Sequence, residues 1–235
     1  NAGKEVIAVV AGKNFKIGGF NRATMAKRQL GSSFKPFLYF TAIQNGYDLN
    51  TIVEDRYLQY GKWIPKNYGS RYNRNMTLLT ALDRSVNTVS VQLLEKVGIK
   101  TFKDNMKILD PDLKIPDNLT ASLGAVENTP LQQALDYSIF ANGGYKIEPV
   151  VVTSVVDKYG NLLYEKQGNK EKIYDSLDTS LITYMLKSSV IFGSSSRASV
   201  YDANKRRIEQ GGKTGTTNEN RTLWFAGITP NYVTT

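Results

Sequence analysis

The sequence predicts an α+β protein: strands from the two ends of the chain form one antiparallel sheet, helices pack on it, and the middle builds a mostly helical lobe. Two observations carry this. Strand-like runs stand at residues 5–10, 208–217 and 223–228, whereas apolar residues between 37 and 142 recur with helical spacing. Beyond residue 144 the period changes to that of strands, with a hairpin turn at Asp157-Lys158-Tyr159-Gly160-Asn161.

Taken in order, residues 5–10 are β-branched, end in Ala11-Gly12 and read as a buried strand. Residues 14–28 are polar and Gly-rich, a loop leading to a helix opened by Ser32, with Pro36 tolerated in its first turn. Asn45-Gly46 ends that helix. Residues 47–75 show little periodicity and read as irregular surface, where Trp63, Tyr68 and Tyr72 either line a groove or pack the loop down. Helical pattern returns at 77–84, breaks at Ser85-Val86-Asn87, resumes over 89–97 before Gly98, and recurs at 102–109. Pro111 and Pro116 mark a loop. Thr129-Pro130 opens the next helix and Asn142-Gly143-Gly144 closes it. Strands at 150–156 and 162–165 flank the hairpin turn, Asp178 caps a helix running to Val190, and Gly193-Ser194-Ser195-Ser196 is a loop. The helical lobe then covers about 37–144, and the groove between lobe and sheet is where a site is expected.

Composition excludes more than it selects. A chain of 235 residues with 41% hydrophobic and 22% charged residues can bury a full core. It has neither His nor Cys, which rules out a Ser-His-Asp triad, thiol nucleophiles, zinc sites built on these residues and disulfides. A general base working near neutral pH must be a carboxylate, a tyrosine or a lysine with a lowered pKa. No metal and no cofactor is expected. The net charge of +9 favours polyanions, but the basic residues are scattered and the densest run, Lys205-Arg206-Arg207, reads as a solvated segment, so nucleic acid is not the expected partner. The apolar run at 6–11 is far too short for a signal peptide or a span.

Chemistry concentrates in three short elements. In Ser32-Ser33-Phe34-Lys35 the serine and lysine stand three apart, so on a helix their hydroxyl and amine share one face. At a helix N-terminus, free N–H groups and the dipole favour an alkoxide-like nucleophile beside a developing oxyanion. One S-x-x-K is expected by chance in roughly every chain of this length. The pair gains meaning from Ser85-Val86-Asn87 and Lys213-Thr214-Gly215, which follow in that order; the joint chance is on the order of one in a hundred.

These motifs, with Lys213-Thr214-Gly215-Thr216-Thr217-Asn218 and Ala141-Asn142-Gly143-Gly144-Tyr145, resemble the transpeptidase domain of class A, bifunctional penicillin-binding proteins. The similarity extends over segments 6–24, 29–36, 63–68, 77–89, 122–149 and 211–230. It implies the penicillin-binding/β-lactamase-like serine transpeptidase fold and a D,D-transpeptidase that cross-links peptidoglycan stem peptides and is acylated by β-lactams. Ser32 is then the nucleophile toward the penultimate D-alanine carbonyl and Lys35 the base. A second ammonium about 5 Å away, that of Lys213, supplies ~3 kcal/mol at an effective dielectric of ~20, most of the ~4 kcal/mol needed to lower Lys35 by ~3 units, with desolvation adding the rest. By the same resemblance Ser85 relays the proton to the leaving nitrogen and Asn87 binds the acyl donor's backbone. Thr214, Gly215 and Thr216 form the substrate strand, Thr214 and Thr216 hold the terminal carboxylate, and the N–H groups of Ser32 and Thr216 make the oxyanion hole.

The resemblance also implies parts these residues lack: a membrane anchor and a glycosyltransferase domain ahead, and a further strand and closing helix after residues 223–228. The expectation is one transpeptidase domain over 1–235, shortened at its C-terminal end with an open sheet edge, working on the outer face of the bacterial cytoplasmic membrane. Asn73-Arg74-Asn75-Met76 departs from the family's usual Gly and Pro. A serine β-lactamase is a weaker reading. Its Glu-x-x-Leu-Asn string is absent, Val86 stands where those enzymes have Asp, and Glu127 is the nearest substitute. A non-enzymatic β-lactam sensor keeps the same motifs and is the other alternative.

Overall fold

The computed structural model describes residues 5–14, 16–217 and 222–235. A short helix α1 (Arg22–Met25) and strand β1 (Arg28–Gln29) lead into a 3-10 turn, Gly31–Phe34, and helix α2 (Lys35–Gln44). Strands β2 (Ile52–Asp55) and β3 (Arg74–Thr77) follow, then helices α3 (Leu78–Asp83), α4 (Asn87–Val97) and α5 (Ile99–Leu109). Strand β4 (Glu127–Asn128) pairs with β1, and α6 (Pro130–Ala141) comes next. Strands β5 (Tyr145–Ile147) and β8 (Lys170–Lys172) pair around the hairpin of β6 (Ser154–Val156) and β7 (Leu162–Glu165). Helix α7 (Ser176–Phe192) precedes strands β9 (Gly211–Thr216), β10 (Leu223–Ile228) and β11 (Val233–Thr234), an antiparallel sheet ordered β11-β10-β9.

The core is built on α2, whose residues are buried all round except Gln44. A helix apolar on every face has no solvent side and must lie inside the molecule. Phe34, Phe37, Phe40, Phe102, Tyr137, Phe140 and Tyr174 interlock around it with ring centroids 4.7–5.9 Å apart. Helix α7 lies on β9 so closely that a Cβ on Gly211 would meet Leu186 Cβ at 3.0 Å. The sheet, α7 and α2 are thus stacked, and the turn that begins α2 is pinned between them.

The α+β class and the antiparallel C-terminal sheet hold, and several local expectations do not. Residues 5–10 form no strand: Ile7 and Val10 are 72% and 84% exposed, and the segment's tie is the Val6 N–H to Val150 O bond at 2.9 Å. β-Branched residues favour extended backbone, but pairing needs a partner edge, which sequence does not specify. The sheet therefore carries strands from the C-terminal end alone among the described residues. Residues 47–75 are not wholly irregular, since β2 and β3 pair with Ile52 opposite Thr77; four-residue strands are too short to show alternation. Asp175, not Asp178, caps α7, accepting from the Leu177 and Asp178 N–H groups, while Asp178 sits in the first turn where the dipole also favours an acid. Helix α5 begins at Ile99 rather than Phe102 because Gly98, at φ 90°, makes the whole connection from α4. Residues 14–28 hold α1 as well as loop, and β9 and β6 are shorter than their apolar runs. The edge of β10 beyond β9 is partly covered, since β11 pairs Val233 with Ile228.

Candidate active site

The first motif is a 3-10 turn with Lys35 as the first residue of α2, so Ser32 does not open an α-helix. Gly31 has φ 55°, and a Cβ there would meet Thr216 O at 2.8 Å, so both conformation and space require glycine. The Ser33 hydroxyl donates to Leu30 O at 2.8 Å, and the Tyr137 hydroxyl donates to Ser33 O. Leu30 and Gly31 N–H groups go to Val126 and Gly124 carbonyls. Among these buried neighbours Ser32 alone is half-exposed, at a turn whose early N–H groups lack intrahelical acceptors.

Lys35 is 1% exposed, and its Nζ reaches the second motif: Ser85 O at 2.7 Å, Ser85 Oγ at 3.3 Å and Asn87 Oδ1 at 2.6 Å. Ser85 occupies the turn between α3 and α4 with φ 56°, a left-handed conformation uncommon outside glycine. Helix α4 begins at Asn87, and its cap residue Val86 offers no side-chain acceptor. Asn67 supplies one from a distance: its Oδ1 accepts from the N–H groups of Asn87 at 2.9 Å and Thr88 at 3.2 Å. Asp55, fully buried, holds Asn67 Nδ2 at 2.7 Å and Thr88 Oγ1 at 2.5 Å. Asn87 Nδ2 donates to Lys66 O at 2.7 Å, which fixes its oxygen toward Lys35.

The third motif is β9. A Cβ on Gly215 would lie 2.4 Å from Leu30 O and 2.9 Å from Ser33 Oγ, so glycine is what lets this strand touch the Ser32 turn. Lys213 is fully buried, donating to Ser194 Oγ at 3.2 Å and Thr214 O at 3.3 Å. The Thr214 N–H donates to Ser195 Oγ at 3.1 Å. Thr214 is half-buried and Thr216 exposed. Ser32, Lys35, Ser85, Asn87, Lys213, Thr214, Gly215 and Thr216 thus belong to three elements that meet, whereas Asn218 lies outside the described residues. Glu127 is exposed on β4.

Burial, and after it the charge of Lys213, holds the Lys35 ammonium well below the ordinary lysine range. The sequence expectation gave Lys213 the larger share; removal from water is the stronger effect because Lys35 lies wholly inside the packed core. Lys213 is lowered by burial to about 7, and Asp83 opposes that shift. Asp55, Asn67, Asp83 and the serines after α7 were not singled out from sequence. Asp55, Asn67 and the serines stand in segments without periodicity, Asp83 is one polar residue of a helical pattern, and the role of each depends on long-range packing.

A model of the penicillin-binding protein transpeptidase domain matches residues 1–234. Penicillin-binding protein 1A of Neisseria flavescens is 37% identical over 241 residues, covering 97% of this chain and 30% of that protein. The Aquifex aeolicus protein of the same name is 37% identical over 98% of this chain and 32% of its own length. The chain thus spans about a third of these relatives. Among solved structures, penicillin-binding protein 1A from Haemophilus influenzae superposes with a TM-score of 0.83 at 27% identity, over 92% of this chain and 38% of that one. PonA1 of Mycobacterium tuberculosis, in complex with penicillin V, has the same fold, with a TM-score of 0.80 at 22% identity over 93% of this chain and 62% of that one.

Proposed function

The chain belongs to the penicillin-binding protein transpeptidase family, and on that premise we propose that it is a serine D,D-transpeptidase that cross-links peptidoglycan stem peptides. The observation that supports this most is the buried Lys35 amine, held between Ser85 and Asn87 in the turn next to Ser32. A neutral amine donates two hydrogen bonds and accepts one. With Ser85 O and Asn87 Oδ1 taking its protons, its lone pair is free to receive a proton.

In the reaction the Ser32 hydroxyl gives its proton to Lys35 Nζ while Oγ attacks the carbonyl carbon of the penultimate D-alanine. Negative charge on the carbonyl oxygen is met by the Ser32 and Thr216 N–H groups, a contribution of about 3 kcal/mol per donor in comparable sites. The C–N bond breaks, and the proton passes from Lys35 through the Ser85 hydroxyl to the departing D-alanine nitrogen. An amine of a second stem peptide then attacks the acyl ester, its proton moves to Lys35, and Ser32 recovers its hydrogen. Asn87 binds the donor's backbone, and Thr214 and Thr216 hold its terminal carboxylate. A β-lactam follows the first half, but its leaving nitrogen stays tethered, so the acyl-enzyme persists.

The residues act as one transpeptidase domain with the helical lobe at about 37–144, on the outer face of the cytoplasmic membrane, where the substrate is. No helix among the described residues is long and apolar enough to cross a membrane. Intact-mass analysis after incubation with benzylpenicillin tests the reading. A stable adduct mapping to Ser32 and absent from Ser32→Ala is expected; rapid release of hydrolysed drug would point to a β-lactamase, and no adduct would overturn the assignment.

A further inference from the structure

The two lysines of the site share burial and differ in their counter-charges. Lys35 meets neutral acceptors, and the charge that acts on it is Lys213. The acid whose charge acts on Lys213 is Asp83, the last residue of α3, which belongs to none of the three motifs and is linked to Lys213 through Ser194. Asp83 is buried; its Oδ2 accepts from the Ser188 hydroxyl at 2.7 Å, and its Oδ1 has no hydrogen-bond partner among the described residues. Its carbonyl accepts the Ser194 N–H at 2.7 Å, and Ser194 Oγ in turn accepts from Lys213. A Cβ on Gly193 would lie 2.4 Å from Asp83 O, so this contact depends on glycine. The next residue, Ser195, holds Thr214. Asp83 is thus bound through its side chain to α7 and through its backbone to the turn whose serines hold the third motif.

We infer that Asp83 is a positioning residue for Lys213: its carboxylate keeps that ammonium charged and aimed at Ser194, while Lys35, with no carboxylate of its own, is left neutral. The groups around Asp83 are Lys213 from β9, exposed Arg84 at the cap that follows α3, and Tyr39 from α2, whose hydroxyl is pushed up by burial and, after it, by Asp83; burial raises the Asp83 carboxyl itself, and the Ser188 hydroxyl, Lys213 and Arg84 oppose that. Lys187 on α7 pairs instead with Glu209. Two buried lysines are in this way given opposite tasks, one a base and one a cation up to about neutral pH, by a single acid that acts on one of them.

The inference rests on the transpeptidase reading, but it is tested without turnover. Lysine 13Cε signals of the labelled protein are followed between pH 5 and 11, with Lys213→Met assigning the Lys213 signal. Asp83→Asn, which keeps the shape and an acceptor for Ser188, is expected to lower the Lys213 midpoint by about one unit, about tenfold less ammonium at a fixed pH. Lys35 is expected to move upward. Acylation by benzylpenicillin is expected to fall about tenfold at pH 8 and less than threefold at pH 6, whereas mere loosening would lower both alike. An unchanged Lys213 midpoint, or an equal loss at both pH values, overturns the inference. The wild-type protein gives a second reading that needs no variant: the Asp83 carboxyl carbon must show an ionised signal at pH 7, and a protonated one overturns the inference. Failure of the wild type to be acylated would strike the transpeptidase reading alone.

Discussion

The turn at Ser32 and the β6–β7 hairpin are both rich in apolar residues, and the molecule treats them in opposite ways. Around Ser32, Leu30, Phe34 and Phe37 are buried, three elements meet, and glycines remove every Cβ that would hold them apart. In the hairpin, Val156, Leu162 and Leu163 are exposed, and the strands bond chiefly to each other. Where chemistry must be held, packing is complete; where it need not be, apolar residues are left on the surface. The packed region is also where stability is given up, because two lysines are buried there without a close ion pair.

Substitutions should separate the two regions, and the largest effect is expected at Gly215. A Cβ there meets the Leu30 carbonyl, which cannot move without shifting the Ser32 turn, so Gly215→Ala should lower the acylation rate by ~100-fold or more. Stopped-flow measurement with a chromogenic β-lactam reads this directly. Phe34→Ala removes a ring packed 5.4 Å from Phe37 and 5.6 Å from Phe102 and should cost about 3–5 kcal/mol in denaturant unfolding.

Lys213→Met should do the reverse to stability while abolishing activity. The folded-state pKa of Lys213, about 7, lies below its unfolded value, so the unfolded state binds the extra proton and wild-type stability rises as pH climbs from about 7 toward 10. Methionine removes that dependence and should stabilise the fold by roughly 1–4 kcal/mol at pH 7, with no gain near pH 10. Melting curves at the two pH values check it. Leu163→Thr, at a site 66% exposed, should change stability by less than about 0.5 kcal/mol; a larger loss would mean that the hairpin is packed after all.

The same contrast explains what could be read from sequence. The helices from Thr77 through Ala141 were legible because caps, glycines and proline mark their ends: Thr77 and Thr129 each cap a helix, and Pro130 stands at the first position. The motif residues were legible through their types and order, since few residues can serve as nucleophile and base without histidine. Residues 5–10 were misread because a β-branched run states a backbone preference and not a partner. Asp55 and Asn67 escaped notice because a distant cap depends on a contact between positions 20 or more apart, which no local pattern records.

The proposed reaction depends on Ser32 being activated by a neutral Lys35 near a charged Lys213. The measurement that meets it most directly is the second-order rate constant for benzylpenicillin acylation of the native sequence from pH 5 to 10. Protonation of Lys35 should close the profile on the acid side, and deprotonation of Lys213 should close it on the alkaline side from about pH 7 upward, giving a bell. A rate that stays flat across this range, or that begins to rise only near pH 10 as for an ordinary lysine, would rule out a neutral Lys35 as the base.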